Sequence, residues 1–136
     1  MKSFKLITLL LLLSAFFAGC EKQEYFKSES GIKSQLDHKW HRVQISHYDS
    51  PTEVWDFHDG KLTITGSNAF ATPIEGDFSV KTTVTRVFVT TKNFQNGAQY
   101  YNNAKWTVIS LDNDILVIAA DDPVSGGLLE REFTRE

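Results

Sequence analysis

The strongest constraint on the fold of this chain is ten residues long: Trp55-Asp56-Phe57-His58-Asp59-Gly60-Lys61-Leu62-Thr63-Ile64. Large apolar and polar residues alternate on both sides of an Asp-Gly pair, which is the period of a half-buried strand. Asp-Gly favours a two-residue type I′ turn, because both positions need positive φ and both residues tolerate it. Such a turn pairs His58 with Lys61, Phe57 with Leu62, and Trp55 with Ile64. One face then carries Trp55, Phe57, Leu62 and Ile64; the other carries Asp56, His58, Lys61 and Thr63. A slip of one residue would turn the first set to water, so register and burial are specified together.

After Trp40 no segment keeps apolar residues at helical spacing for three turns, while several alternate in Val, Ile, Thr and aromatic residues. Asn96-Gly97 is a second favoured type I′ pair. Its register pairs Val89 with Ala104, Val87 with Trp106 and Thr85 with Val108, unless a bulge near Tyr100-Tyr101 shifts them by one. Further strands are expected over 39–47, 77–81, 115–120 and 128–134. Turns fall at Asp112-Asn113 and 121–127, and a longer loop runs over 66–76. Ile32 and Leu36, four apart, fit one short helical turn ahead of the first strand. The expectation is an all-β domain, an antiparallel up-and-down barrel of about eight strands, since closure removes the exposed edges of a meander.

The N-terminus reads as an export signal over residues 1–19: Lys2 and Lys5, an apolar run from Leu6 to Phe17, then small residues before Cys20. The run is short of the ~20 residues a spanning helix needs. A mature chain from Cys20 would have 136 − 19 = 117 residues, enough for one domain. Losing Lys2 and Lys5 leaves 14 − 2 = 12 Lys+Arg against 17 Asp+Glu, a net charge of −5. That balance, with no basic run, argues against a nucleic-acid partner. One cysteine permits no internal disulfide. Residues 20–35 have the polar composition of a tether, and 36–136 form the domain.

Two resemblances add to this. Phe17-Ala18-Gly19-Cys20 resembles the bacterial lipobox, which implies that the Cys20 thiol takes a diacylglycerol, with acyl chains such as palmitate, before cleavage. Lipidation at Cys20 would make the membrane a partner and place the protein in the bacterial cell envelope, anchored to the outer membrane. Glu21-Lys22-Gln23-Glu24 is similar to the sorting signals of lipoproteins of the Bacteroidetes type, and equally to a solvated linker; periplasmic and surface display both stay open. Trp40, the Trp55-to-Ile64 hairpin, Gly76-Asp77-Phe78, Lys105-Trp106-Thr107-Val108 with Leu111, and Phe133-Thr134-Arg135 together resemble the lipocalin-like domains of small bacterial lipoproteins. His38 stands where lipocalins carry the glycine of Gly-x-Trp. The resemblance implies an eight-stranded barrel in which Arg135 stacks on Trp40, with Arg131, on the same face, in reserve.

The chemistry-bearing residues are sparse. His41 and His47 share a strand face but lie about 20 Å apart at strand rise, too far for one metal ion. His38 and His58 read as solvated histidines, so no metal or other cofactor is expected. Asp112, Asp114, Asp121 and Asp122 lack the spacing of a calcium loop, and aspartate is favoured in turns for its own backbone hydrogen bonds. Ser125-Gly126-Gly127 is no nucleophile elbow, and no catalytic triad order is present, so an enzyme is not expected.

What remains is the interior. Trp55, Phe57, Leu62, Ile64, Phe78, Val87, Trp106, Val108 and Phe133 fall on inward positions, with Phe70 and Ile74 at the rim in the 66–76 loop. Two readings stand side by side. In one, these residues line a pocket for a small apolar ligand. In the other, they fill a short barrel, and the domain is a non-catalytic interaction module whose contacts are made by residues such as Tyr48, Tyr100 and Tyr101.

Overall fold

In a computed structural model of the chain, residues 28–43, 53–66 and 73–136 are described, Tyr101 by its backbone alone. Helix α1 (Glu29–Leu36) is followed by strands β1 (Lys39–Arg42), β2 (Val54–His58), β3 (Lys61–Thr65), β4 (Ile74–Thr82) and β5 (Val87–Lys92). A single-turn helix α2 (Gln99–Asn102) then precedes β6 (Ala104–Leu111), β7 (Ile115–Asp121) and β8 (Leu128–Arg135). Each strand pairs antiparallel with its neighbours in chain order, and β8 returns to β1, giving a closed eight-stranded barrel.

The β2–β3 hairpin forms as its alternation dictates. Asp59 and Gly60 take φ of 47° and 77°, and His58, Phe57 and Trp55 face Lys61, Leu62 and Ile64. Trp55, Phe57, Leu62 and Ile64 are buried, and His58 and Lys61 are exposed. Strand β1 covers Lys39–Arg42; Val43 follows it outside the strand, its N donating to Glu132 O at 2.8 Å, and 44–47 of the expected 39–47 strand lie outside the described residues.

Two expectations of register are corrected. Val89 pairs with Trp106, and Thr91 with Ala104, a shift of two from the pairing drawn across Asn96-Gly97. The turn itself forms: Ala98 N donates to Gln95 O at 3.0 Å, and Asn96 and Gly97 have φ of 57° and 89°. Beyond it the chain winds into α2 instead of starting a strand, so the ladder begins further out. A shift of two keeps every side chain on its own face, which is why Val89 and Trp106 are buried as expected. Thr85 lies in the β4–β5 turn and pairs with no strand.

The loop expected over 66–76 ends earlier, since Ile74, Glu75 and Gly76 belong to β4 and Ile74 pairs with Ile64. A side chain at Gly76 would run into the Phe94 ring and come within 2.7 Å of Lys92 O, so any larger residue here must displace its neighbours.

Helix α1 closes one end of the barrel. Ser28 Oγ caps it by accepting from Gly31 N at 3.1 Å, and Ile32 and Leu36 pack into the core. Residues Ile32 and Leu36 thus tie α1 to the barrel core. The Trp40 indole donates to Leu36 O at 3.0 Å, fixing the helix to the first strand. The opposite end carries the 93–103 and 122–127 connections. We call the two the helix end and the loop end.

Candidate functional site

The interior is built around Trp55, which has 0% exposure. Its ring centroid lies 5.9 Å from Phe57, 5.9 Å from Trp106 and 5.0 Å from Phe133, tilted or edge-on in each case. Phe57 continues the stack edge-on to Phe78 at 5.0 Å. Alternation supplies these contacts, because every ring stands on an inward position: Trp55 and Phe57 on β2, Phe78 on β4, Trp106 on β6 and Phe133 on β8. Offset aromatic pairs of this kind add ~1 kcal/mol beyond the area they bury.

Above this stack, toward the loop end, lies a buried polar circuit. Glu53, just ahead of β2, accepts from Trp55 Nε1 at 2.7 Å and from Arg42 Nη1 at 3.3 Å. Arg131 Nη1 lies 4.0 Å from the same Glu53 carboxylate and donates to Asn102 Oδ1 at 3.3 Å. Asn102 Nδ2 donates to Ala98 O at 2.9 Å, and its backbone carbonyl accepts from Thr91 Oγ1. Thr91 Oγ1 in turn accepts from Trp106 Nε1 at 3.0 Å. The circuit joins β1, β2, β5, β6, β8 and α2.

Arg131 is 6% exposed, and its guanidinium carbon sits 5.0 Å from the Trp55 ring and 4.9 Å from that of Trp106. Burial pushes its pKa down to about 10; Glu53 opposes this and Arg42 adds to it. The group stays cationic at neutral pH. Burying an ion costs several kcal/mol, and here the Glu53 carboxylate and two indole faces, each worth up to ~2 kcal/mol when desolvated, offset that cost.

Of the expected interior residues, Trp55, Phe57, Leu62, Ile64, Phe78, Trp106 and Phe133 are in the core, and Ile74, Val87 and Val108 pack against it half-buried. Phe70, Tyr48, His47 and Cys20 lie outside the described residues. Trp40 and Arg135 are register partners across the β1–β8 seam. The Arg135 guanidinium, however, reaches outward to His38 Nδ1 at 3.2 Å and Asn113 O at 3.3 Å. The arginine that lies on indole faces is Arg131, and the indoles are Trp55 and Trp106.

Sequence reading missed Glu53, Thr91 and Asn102. Parity was the available signal for two of them: Glu53 continues the inward series of Trp55 and Phe57, and Thr91 that of Val87 and Val89. Asp112 and Asp122 behave as turn residues, while Asp121 ends β7. Asp112 Oδ1 accepts from Asp114 N and Ile115 N at 2.8 and 2.7 Å, and Asp122 from Val124 N at 2.9 Å and Ser125 Oγ at 2.7 Å. Among the described residues no group of three or more His, Cys, Asp or Glu is arranged to hold a metal ion, and no helix is long and apolar enough to cross a membrane. Comparison with known protein families, curated proteins and solved structures found no match.

Proposed function

We propose that this protein is a lipid-anchored, lipocalin-like barrel of the bacterial cell envelope that works as a non-catalytic interaction module through its outer surface and loop end. The observation that carries this reading is the crowding of Trp55: three aromatic rings and the Arg131 guanidinium lie against it at 5.0 to 5.9 Å in the buried interior. A small apolar ligand placed among them would have to separate those rings and lie against a buried ion pair, whose charges an apolar group cannot satisfy. The anchor rests on the lipobox resemblance at Cys20, and the outer-membrane location on the resemblance to small bacterial lipoproteins.

The test is tryptophan emission of the purified protein, titrated with an apolar fluorescent probe, fatty acids, sterols and quinones. The filled-module reading expects no saturable response. One-to-one quenching at low ligand concentration would overturn it and establish an internal apolar site. For the anchor, Cys20→Ala is expected to release the protein from the membrane fraction.

A further inference from the structure

Residues 78–111 contain Lys81, Arg86, Lys92 and Lys105 and no aspartate or glutamate. From residue 20 onward the rest of the chain then has 12 − 4 = 8 Lys+Arg against 17 Asp+Glu, a balance of −9. This stretch, which supplies β5, β6 and the second half of β4, is therefore net +4 in an acidic protein, with Glu75 and Asp77 at the start of β4 as the nearest carboxylates in sequence.

The structure brings these cations to one outward face. Lys81 is the register partner of Phe88, and Lys105 of Thr90 on the next strand. Lys105 Nζ lies 4.1 Å above the Phe88 ring. Lys92 is the register partner of Asp77, whose carboxylate is ion-paired to Lys61 at 2.7 Å, and the patch is taken as Lys81, Arg86 and Lys105, away from that carboxylate. The β4–β5 turn is closed by Thr83 N donating to Arg86 O at 2.8 Å. At its tip stands Val84, 82% exposed, the most exposed large apolar side chain among the described residues. An apolar tip between cations is what an interfacial contact with acyl chains and anionic headgroups requires.

The chain also enters the barrel at this place. Glu29, the first residue of α1, accepts from Thr82 N at 3.1 Å, directly beside the turn. Cys20 is nine residues earlier, so an anchor there lies within about 30 Å of the turn even at full extension.

We propose that the outer wall of β4, β5 and β6, with Val84 at its tip, is a contact face for an anionic lipid surface and lays the barrel against the membrane. Its physiological setting rests on the lipid anchor proposed above.

The test separates the two. The unlipidated mature chain, residues 20–136 with Cys20→Ser, is mixed with phosphatidylglycerol or phosphatidylcholine vesicles and sedimented. Binding to the anionic vesicles alone is expected, lost at high salt and weakened about tenfold or more by Lys81→Gln/Arg86→Gln/Lys105→Gln. Lys39→Gln/Lys61→Gln/Arg135→Gln, with the same net charge, is expected to bind nearly as wild type. Failure of wild type to bind, or equal loss in both triple variants, overturns the contact face. Retention of an acidic protein by the three cations, without vesicle binding, overturns it as well. Flotation of the lipidated chain with neutral vesicles reads the anchor independently, since the wall contributes nothing there.

Discussion

At the helix end, Asp37 and Asp59 bracket the His58 imidazole at 2.9 and 3.3 Å, and all three side chains stand in water. At the loop end, Glu53 sits 4.0 Å from Arg131, and both side chains are almost excluded from it, at 9% and 6% exposure. The closer contacts are the weaker ones. Water screens the first set and already solvates each partner, so breaking it returns the groups to a state nearly as good. Nothing but the protein solvates the second, so removing one partner strands the other. Distance ranks these interactions wrongly; surroundings rank them correctly.

The comparison can be broken most directly at Glu53. Glu53→Ala leaves the Arg131 charge buried without its carboxylate and is expected to cost about 3–5 kcal/mol in urea unfolding. Asp37→Asn, which removes a contact 1.1 Å shorter (4.0 − 2.9), is expected to leave the midpoint nearly unchanged. A large loss at Asp37 would refute the ranking. Replacing the buried pair together, Glu53→Gln/Arg131→Met, should lose less than Glu53→Ala alone, because no charge is then stranded.

Apolar burial fastens the helix end instead. Leu36→Ala is expected to cost about 3 kcal/mol and to strip hydrogen-exchange protection from α1 before the strands. A smaller effect is expected at Gly76→Ala, about 1–3 kcal/mol, through collision with the Phe94 ring. Phe94→Ala in that background should recover part of the loss, whereas an additive loss would exclude the collision.

The smallest expected effect is a pH dependence confined to one end. The hydrogen bond to Asp37, then the charges of Asp59 and Asp37, raise the His58 pKa above its ordinary 6.5. A raised folded value means the imidazolium favours the folded state fully below 6.5, and that contribution fades as pH rises through the folded value. Nuclear magnetic resonance titration should find His58 above 6.5, moving toward it in Asp37→Asn. Protection of α1 should decline slightly as pH rises from 6.5 through the raised folded value. The loop-end circuit, whose cation titrates near 10, should not respond over that range.

Much of the barrel is legible in the sequence because two periodic signals carry it. Alternation places each side chain in or out, and Asp59-Gly60 sets one register outright. Asn96-Gly97 shows where such reasoning stops. Its turn forms with the expected dihedrals, yet α2 follows, since a turn fixes four residues and says nothing about whether the next ones extend. The buried polar circuit was harder to see for a different reason. Arg131 and Glu53 stand on inward parity, but hydropathy assigns them to water, and only the joint presence of Trp55, Trp106 and Asn102 makes their burial tolerable. Ile74 was hidden by Gly76, which reads as a loop residue until the Phe94 ring that needs its bare backbone is known.

The seam between β1 and β8 has a consequence for the order of events in folding. Trp40 and Arg135 are register partners although 135 − 40 = 95 residues separate them. No earlier strand can stand in for β8, so β1 is left with one open edge until the last strand has emerged. A chain made from its N-terminus thus has local hairpins such as β2–β3 early and the ring late, and the long loop must be closed before its pairing contributes anything. Truncating the last strand would therefore leave a sheet with two unprotected edges, the form in which strands of separate molecules join.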